Sequence, residues 1–371
     1  MSTLISKKYK EWLNLFQKDD LLEFTTNSEG VLWLKIKSIA RKEIMNNFLI
    51  ENKILLQNTK INLQFEELFE LLKINIKNSH TLLDKFIRKV DLNQRDSIDE
   101  LSLVDELYKL KFFSWGGNYS NALDKYLVDS YVKVYKNFDI LMSKFEIEIS
   151  RAVQGYVLCS WYNHWSSILI ENIFKSHQII LPTVGQIKKV DFFINGIPFD
   201  LKVTYLPENF VELKRRLAGL KSELSLLKQT AKELNICFNK DNRAEDIFYE
   251  LTEKIKDKND IFGLQILKSI KDFRKDLVEQ ILDDPKELIV NLYEQQGEMR
   301  FDASNRLFLI LVDTNDYDNS WKLKRNLNVL KPSILEYLDN FDKSLNDLQI
   351  NFNYKDKGSF TAFADAIVIK K

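Results

Sequence analysis

Cysteine is almost missing from this sequence: Cys159 and Cys237 are its two thiols. They are too few for a disulfide framework and suit a reducing, cytoplasmic compartment. Histidine is as scarce, with only His80, His164 and His177. Together with two distant cysteines these offer no zinc-ligand spacing. His164 is expected as an ordinary hydrogen-bonded helix histidine. No G-x-x-x-x-G-K-[ST] run occurs, which excludes P-loop nucleotide hydrolysis and motors that depend on it. No Ser/His/Asp order stands out for nucleophilic catalysis. No apolar run is long enough to cross a bilayer, and the opening MSTLISKKYKEWLNLF lacks the charged-then-apolar pattern of a leader. A cytoplasmic protein with no membrane partner is the expectation.

An excess of charge of either sign is also lacking, since 54 Lys and Arg balance 54 Asp and Glu. The chain is therefore no polycation that coats nucleic acid indiscriminately. Binding of that kind would fall to local clusters such as Lys214–Arg216 or Lys322–Arg325, which surface helices often carry. With 45% hydrophobic and 29% charged residues, the 371 residues suit a globular protein of one large or two to three ordinary domains.

Helical periodicity dominates residues 1–150. Tyr9, Trp12, Leu13 and Phe16 make one apolar stripe, and Phe65, Leu68, Phe69, Leu72 and Ile76 another. GVLWLKIK at 30–37 is open between strand and helix. Ser97 with Glu100 reads as a capping box for the helix that follows. The Trp115–Asn118 stretch, with its glycine pair, reads as a helix connector. A helix over about 153–177 is followed by Pro182 and Gly185, read as a break. Residues 208–297 turn leucine-rich and charged. Leu213, Leu217, Leu220, Leu224, Leu227, Ala231 and Leu234 form a seam of heptad spacing that requires a partner helix, which Ile266 to Ile281 of the same chain can supply. RLFLILVD at 306–313 reads as a buried strand, a helix with proline near its first turn is expected over 332–341, and FTAFADAIVIK closes the chain as a strand.

Chemistry concentrates in VDFFINGIPFDLKVT at 190–204. Asn195-Gly196 between alternating apolar runs signals a two-residue hairpin, because a type I′ turn needs positive φ at both positions. The turn sets the register: Ile194 faces Ile197, Phe193 faces Pro198, Phe192 faces Phe199, and Asp191 faces Asp200. Period-two alternation puts Val190, Phe192, Ile194, Ile197, Phe199, Leu201 and Val203 on a core side. Asp191, Asp200, Lys202 and Thr204 share the other side. Asp191 and Asp200 form a non-hydrogen-bonded pair, with Cβ atoms roughly 4.5–5.5 Å apart. Facing carboxylates repel unless a cation stands between them, and a divalent ion with oxygen ligands fits. The plainer alternative is two hydrated acids on the solvent face of an edge hairpin, with Lys202 incidental.

An acid on one strand, then acid-x-Lys on the next, resembles the PD-(D/E)xK nuclease superfamily, which includes type II restriction endonucleases. Asp191 and Asp200-Leu201-Lys202 carry that resemblance, which covers about residues 151–371. It implies an α/β (α+β) fold: a restriction-endonuclease-like core of helix, three antiparallel strands, helix and strand, with a mixed central sheet flanked by helices. The matching elements are helix 153–177, strands near 187–194, 197–205 and 306–313, helix 332–341 and strand 360–370. A helical insertion at about 208–297 then falls between the second and third strands, and residues 1–150 form a helical region for DNA recognition or dimerisation. Val190 stands where the name-giving proline would be, and Asp200 replaces the commoner Glu.

The resemblance further implies Mg²⁺, with Mn²⁺ as a substitute, contacted by Asp191, Asp200 and Leu201. Lys202 would position the attacking water. Many members add a Glu from the first helix. Glu171 is the candidate, on a face with Ser160, His164 and Ser167, while Trp161, Trp165, Ile168 and Leu169 line the apolar face. The implied activity is hydrolysis of double-stranded DNA at a specific site, leaving 5′-phosphates. The implied partners are a second copy of the chain and, in a restriction system, a separate DNA methyltransferase. A structure-specific or anti-phage defence nuclease without a fixed site is the alternative within nucleases. A non-catalytic helical interaction protein is the alternative outside them. An HNH-type nuclease is disfavoured by the shortage of histidine.

Overall fold

The computed structural model describes residues 2–113, 123–296, 304–354 and 357–371. The chain packs as two compact units, Met1–Asp200 with Trp321–Asp342, and Leu201–Ser320 with Lys343–Lys371. Among the described residues six strands accompany the helices: β1 (Ile180–Ile187), β2 (Val190–Ile194), β3 (Ile197–Tyr205), β4 (Arg306–Val312), β5 (Gln349–Asn353) and β6 (Ser359–Lys370). Their order is β1-β2-β3-β4-β6-β5. β1, β2 and β3 run antiparallel in succession, β4 pairs parallel with β6, and β5 pairs antiparallel with β6. The mixed α/β class is therefore as expected. The boundaries between the units fall at 200/201, 320/321 and 342/343.

In the first unit the segment left open at 30–37 is a helix, Ser28–Ser38, capped by the Asn27 side chain, which accepts from Glu29 N at 2.9 Å. Leu32, Trp33, Leu34 and Ile36 are fully buried. A helix covered on all sides loses its polar stripe, and with it the periodicity that identifies it. Trp33 is ringed by Phe65, Phe16 and Phe24, with centroids 4.9, 5.1 and 5.6 Å away. Even Lys35 is buried, its ammonium 2.5 Å from Asp84. The capping-box reading fails at Ser97, whose hydroxyl donates to Gln94 O and so closes the preceding helix. Asp99 is the cap of Glu100–Tyr108, accepting from Ser102 N at 3.1 Å.

Pro182 and Gly185 do not break the chain; both lie within β1, and this strand is one that the sequence reading missed. β1 ends the strand order, and an edge strand tolerates proline because one side of its ladder is not needed. The irregularity appears as a register shift between Pro182 and Ile187. Gly185 there lies so close to the Ser28–Ser38 helix that an added Cβ would stand 2.3 Å from Ser38 O. The three-stranded meander is thus β1-β2-β3, and the helical insertion follows its third strand rather than its second. The closing helix also begins earlier, at Leu327, so Pro332 sits inside Leu327–Asp339 and not in its first turn.

Both basic clusters are partly interior, Lys322–Arg325 more so than Lys214–Arg216, where Arg216 is exposed. Arg325 is 5% exposed. Its Nη1 donates to Leu107 O and Leu110 O, at the end of Glu100–Tyr108, at 2.6 and 2.8 Å. Its guanidinium lies 4.5 Å from the Tyr108 ring centre. Arg215 is buried in the second unit and donates to Lys221 O. Lys324 is buried as well, with Nζ donating to Asn163 Oδ1 at 2.8 Å.

Burial pulls the Lys324 ammonium down to about 8. A base depressed in this way contributes stability that is complete above its unfolded pKa, about 10.4, and is lost as pH falls through the folded value. Lys324→Met should therefore remove part of the rise in melting temperature of the natural chain between about pH 8 and about pH 10. Equal slopes for the two proteins would refute this.

The second unit has its own apolar interior. Phe308, Ile310 and Val312 of β4 meet Ile350 and Phe352 of β5, with Phe210, Leu277, Val278, Leu292 and Tyr293 from the helices above. The heptad seam is not one helix. Glu208–Leu217 ends, Gly219 turns with φ 71°, and Glu223–Glu233 starts afresh under a Ser222 cap. Leucine spacing is blind to a glycine that favours the left-handed region. Only the second half packs as expected: Leu227 and Ala231 join Ile247, Leu251 and Ile255 of Ala244–Lys258 and Ile270 of Ile261–Asp283. Leu217 and Leu220 stay exposed.

Candidate functional site

The turn has the backbone its residues call for, with φ of 48° at Asn195 and 85° at Gly196. Pairs Phe192–Phe199, Phe193–Pro198 and Ile194–Ile197 form in the expected register. The observed pairing ends at Phe192–Phe199, and Asp191 and Asp200 are the next positions outward on the two strands. Alternation along β3 returns Lys202 to the side of Asp200. Thr183 of β1 donates its hydroxyl to Asp191 O at 2.9 Å, holding the backbone beneath the first acid.

The two sides of the hairpin are both covered near the turn. Phe192 stacks on Phe174 of the Ser150–Lys175 helix with centroids 5.1 Å apart, and Phe199 meets Phe341 edge-on. On the other side Phe193 is fully buried in the N-terminal cluster with Leu181, Val184 and Val190. The acid-bearing side is therefore not a solvent face, and this hairpin is not at the sheet edge, because β3 lies between β2 and β4. Asp200 is 5% exposed, while Asp191 and Lys202 are half-buried. Free hydration does not account for a carboxylate so enclosed; such a group is held by hydrogen bonds, a counter-charge or an ion.

Glu171 sits on Ser150–Lys175, and its Oε2 accepts from Lys175 Nζ at 2.8 Å, one turn along the same helix. Among the described residues no three His, Cys, Asp or Glu side chains gather so as to hold one ion. Glu171 is thus not brought in as a third carboxylate beside Asp191 and Asp200. The buried side of that helix carries Tyr162, Ser166, Leu169 and Ile173, whereas Trp161, Trp165 and Ile168 are half-buried. An oxygen donor set of two carboxylates still fits Mg²⁺, which takes one or two carboxylates and keeps several waters.

The histidines lie elsewhere. His80 Nε2 is 3.2 Å from Ser28 O, His177 Nε2 is 2.9 Å from Asp339, and His164 lies against the Trp165 ring. The Trp115–Asn118 connector falls outside the described residues. A charged group that sequence reading missed lies in the second unit, where Arg274 holds Glu223 within reach of Glu208 and Asp318. Burial raises the carboxyls of Glu208 and Asp318, and Arg274 opposes that rise. These residues are spread over more than a hundred positions, so no local pattern marks them. No described helix is long and apolar enough to cross a membrane. No family model, curated protein or solved structure matches this chain.

Proposed function

We propose that this chain is a Mg²⁺-dependent DNA endonuclease of the PD-(D/E)xK kind, cutting double-stranded DNA as type II restriction enzymes do. The observation that carries the reading is the hairpin: its register brings Phe192 against Phe199, with Asp191 and the enclosed Asp200 at the next positions outward and Lys202 two residues beyond Asp200 on the same strand. The order helix, three antiparallel strands and later strands supports it. Asp191 and Asp200, with the Leu201 position between Asp200 and Lys202, would hold the ion. When bound, Mg²⁺ supplies Lewis-acid stabilisation of a phosphoryl oxygen. Lys202 holds the water that attacks phosphorus and offsets negative charge gathering on the phosphate. The P–O3′ bond breaks, the 3′ oxygen leaves with a proton, and the 5′-phosphate stays on the other fragment. Glu171 remains a candidate only if it leaves Lys175.

Double-stranded sites of two-fold symmetry are read best by two copies of a chain, so a homodimer belongs to this proposal. So does a separate methyltransferase to protect host DNA. The test is incubation with plasmid, with and without Mg²⁺. Discrete fragments that vanish with chelator are expected. Smearing or nicking selects a defence nuclease without a fixed site. No cutting with Mg²⁺ or Mn²⁺ overturns the nuclease reading and leaves a helical interaction protein.

A further inference from the structure

β5 ends the strand order, and among the described residues no strand lies outside it. Tyr354 N donates to Gly358 O at 3.1 Å, two positions along the ladder from the Phe352–Phe360 pair. Hydrogen-bonded and non-hydrogen-bonded pairs alternate in an antiparallel ladder. Gln349, Asn351 and Asn353 therefore turn their backbone N–H and C=O groups away from β6. Proteins usually blunt such an edge with a charge, a proline or a bulge. The β5 sequence QINFN has no charge and no proline, and its register with β6 runs without a shift.

Beside this edge, within the second unit, lies a cavity of about 540 Å³ lined on the strand side by Gln349, Ile350 and Asn351. Its helical wall is apolar, with Phe210, Leu213, Leu217 and Val290. Leu217, left over from the heptad seam, is 72% exposed there. A strand laid outside β5 turns every second side chain to the Ile350 side of the sheet, toward that wall. Edge and cavity together select an extended peptide, whose main chain pairs with β5 while alternate apolar side chains fill the cavity. A helix has already spent its main-chain groups internally and cannot pair with the edge. Nucleic acid calls for a basic excess, whereas the rim balances Lys214 and Lys286 against Glu287 and Glu294.

We infer that the outer edge of β5 and the cavity beside it take up an extended, uncharged segment of a partner protein as an added strand. A phage-displayed library of random octapeptides, panned on the immobilised full chain, should enrich sequences with apolar residues at every second position. The enriched peptide, synthesised with a fluorescent label, should bind the full chain in solution. Its N-methylated form, blocked at alternate amides, should bind about tenfold more weakly or worse, because it cannot pair with the edge. Asn351→Pro should weaken binding to a similar degree with melting temperature nearly unchanged, since the N–H it removes points away from β6. Leu217→Glu, at an exposed position, is the second variant should the first fail to fold, and it should weaken binding by charging the cavity wall. Leu55→Glu, on a leucine 92% exposed in the first unit, should leave binding intact. No enrichment, enriched peptides without alternation, or binding that survives both Asn351→Pro and Leu217→Glu would each overturn this docking site. So would a dimer of the natural chain that Asn351→Pro dissociates, which gives the edge to a second copy instead. Plasmid cleavage bears on neither result, so the site stands or falls apart from the nuclease reading.

Discussion

Asp200→Asn should lower Mg²⁺-dependent DNA cleavage by about a thousandfold or more, while the protein stays folded. A metal ion contributes several kcal/mol to transition-state charge stabilisation, and about 4 kcal/mol corresponds to three orders of magnitude in rate. Asparagine keeps the shape of the side chain at a position only 5% exposed and removes the charge that would attract the ion. It also removes repulsion between facing carboxylates. Adding Mg²⁺ should raise the melting temperature of the natural chain and not of the variant, because a ligand stabilises only what binds it. Lys202→Ala should separate the roles: slow cutting with Mg²⁺ stabilisation retained. If Asp200→Asn cuts at the natural rate, the paired acids have no part in the chemistry, whatever the protein's activity proves to be.

This hairpin was legible because everything that sets it is local. Asn195 and Gly196 accept positive φ, the turn has two residues, and alternation then dictates which side chains face one another. What failed to show depends on neighbours distant in sequence. Pro182 and Gly185 look like breakers until β1 is seen at a sheet edge beside Ser38. The Ser28–Ser38 helix hides its period because Phe16, Phe24 and Phe65 cover it from several sides. Leucines at heptad spacing gave no sign that Gly219 ends the helix between them. Basic residues counted as a surface cluster include Arg325, whose partners are carbonyls at 107 and 110. For Glu171 the relevant neighbour, Lys175, was one turn away and in plain view. The enclosure of Asp200 was not, since it comes from packing of strands and helices the hairpin does not specify.

Arg274→Met should be among the most destabilising single changes in the second unit, costing about 3–5 kcal/mol, the usual range for orphaning a buried charge. Glu223 is 2% exposed. Arg274 Nε donates to its Oε1 at 3.0 Å and Nη2 to its Oε2 at 2.5 Å, a fork that joins Glu223–Glu233 to Ile261–Asp283. The guanidinium also lies 5.2 Å from the Tyr317 ring and 6.0 Å from that of Phe248. Burial opposes its charge, yet Glu223, with Asp318 and Glu208 further off, more than offsets that and raises its pKa. Without the cation those acids are left facing one another in a poorly hydrated place. The carboxyls of Glu208 and Asp318, already raised by burial and held down by Arg274, must rise further, so the fold binds more protons than the unfolded chain above about pH 4.3, and stability falls as pH rises through that window. The deficit relative to the natural chain should accordingly shrink toward about pH 5. Adding Glu223→Met should recover most of the loss at neutral pH, since replacing both partners removes the unpaired charge that replacing one creates. Chemical denaturation of the two variants at both pH values measures this. A deficit that is independent of pH and untouched by the second substitution would mean that Arg274 acts by packing on Tyr317 and Phe248 alone.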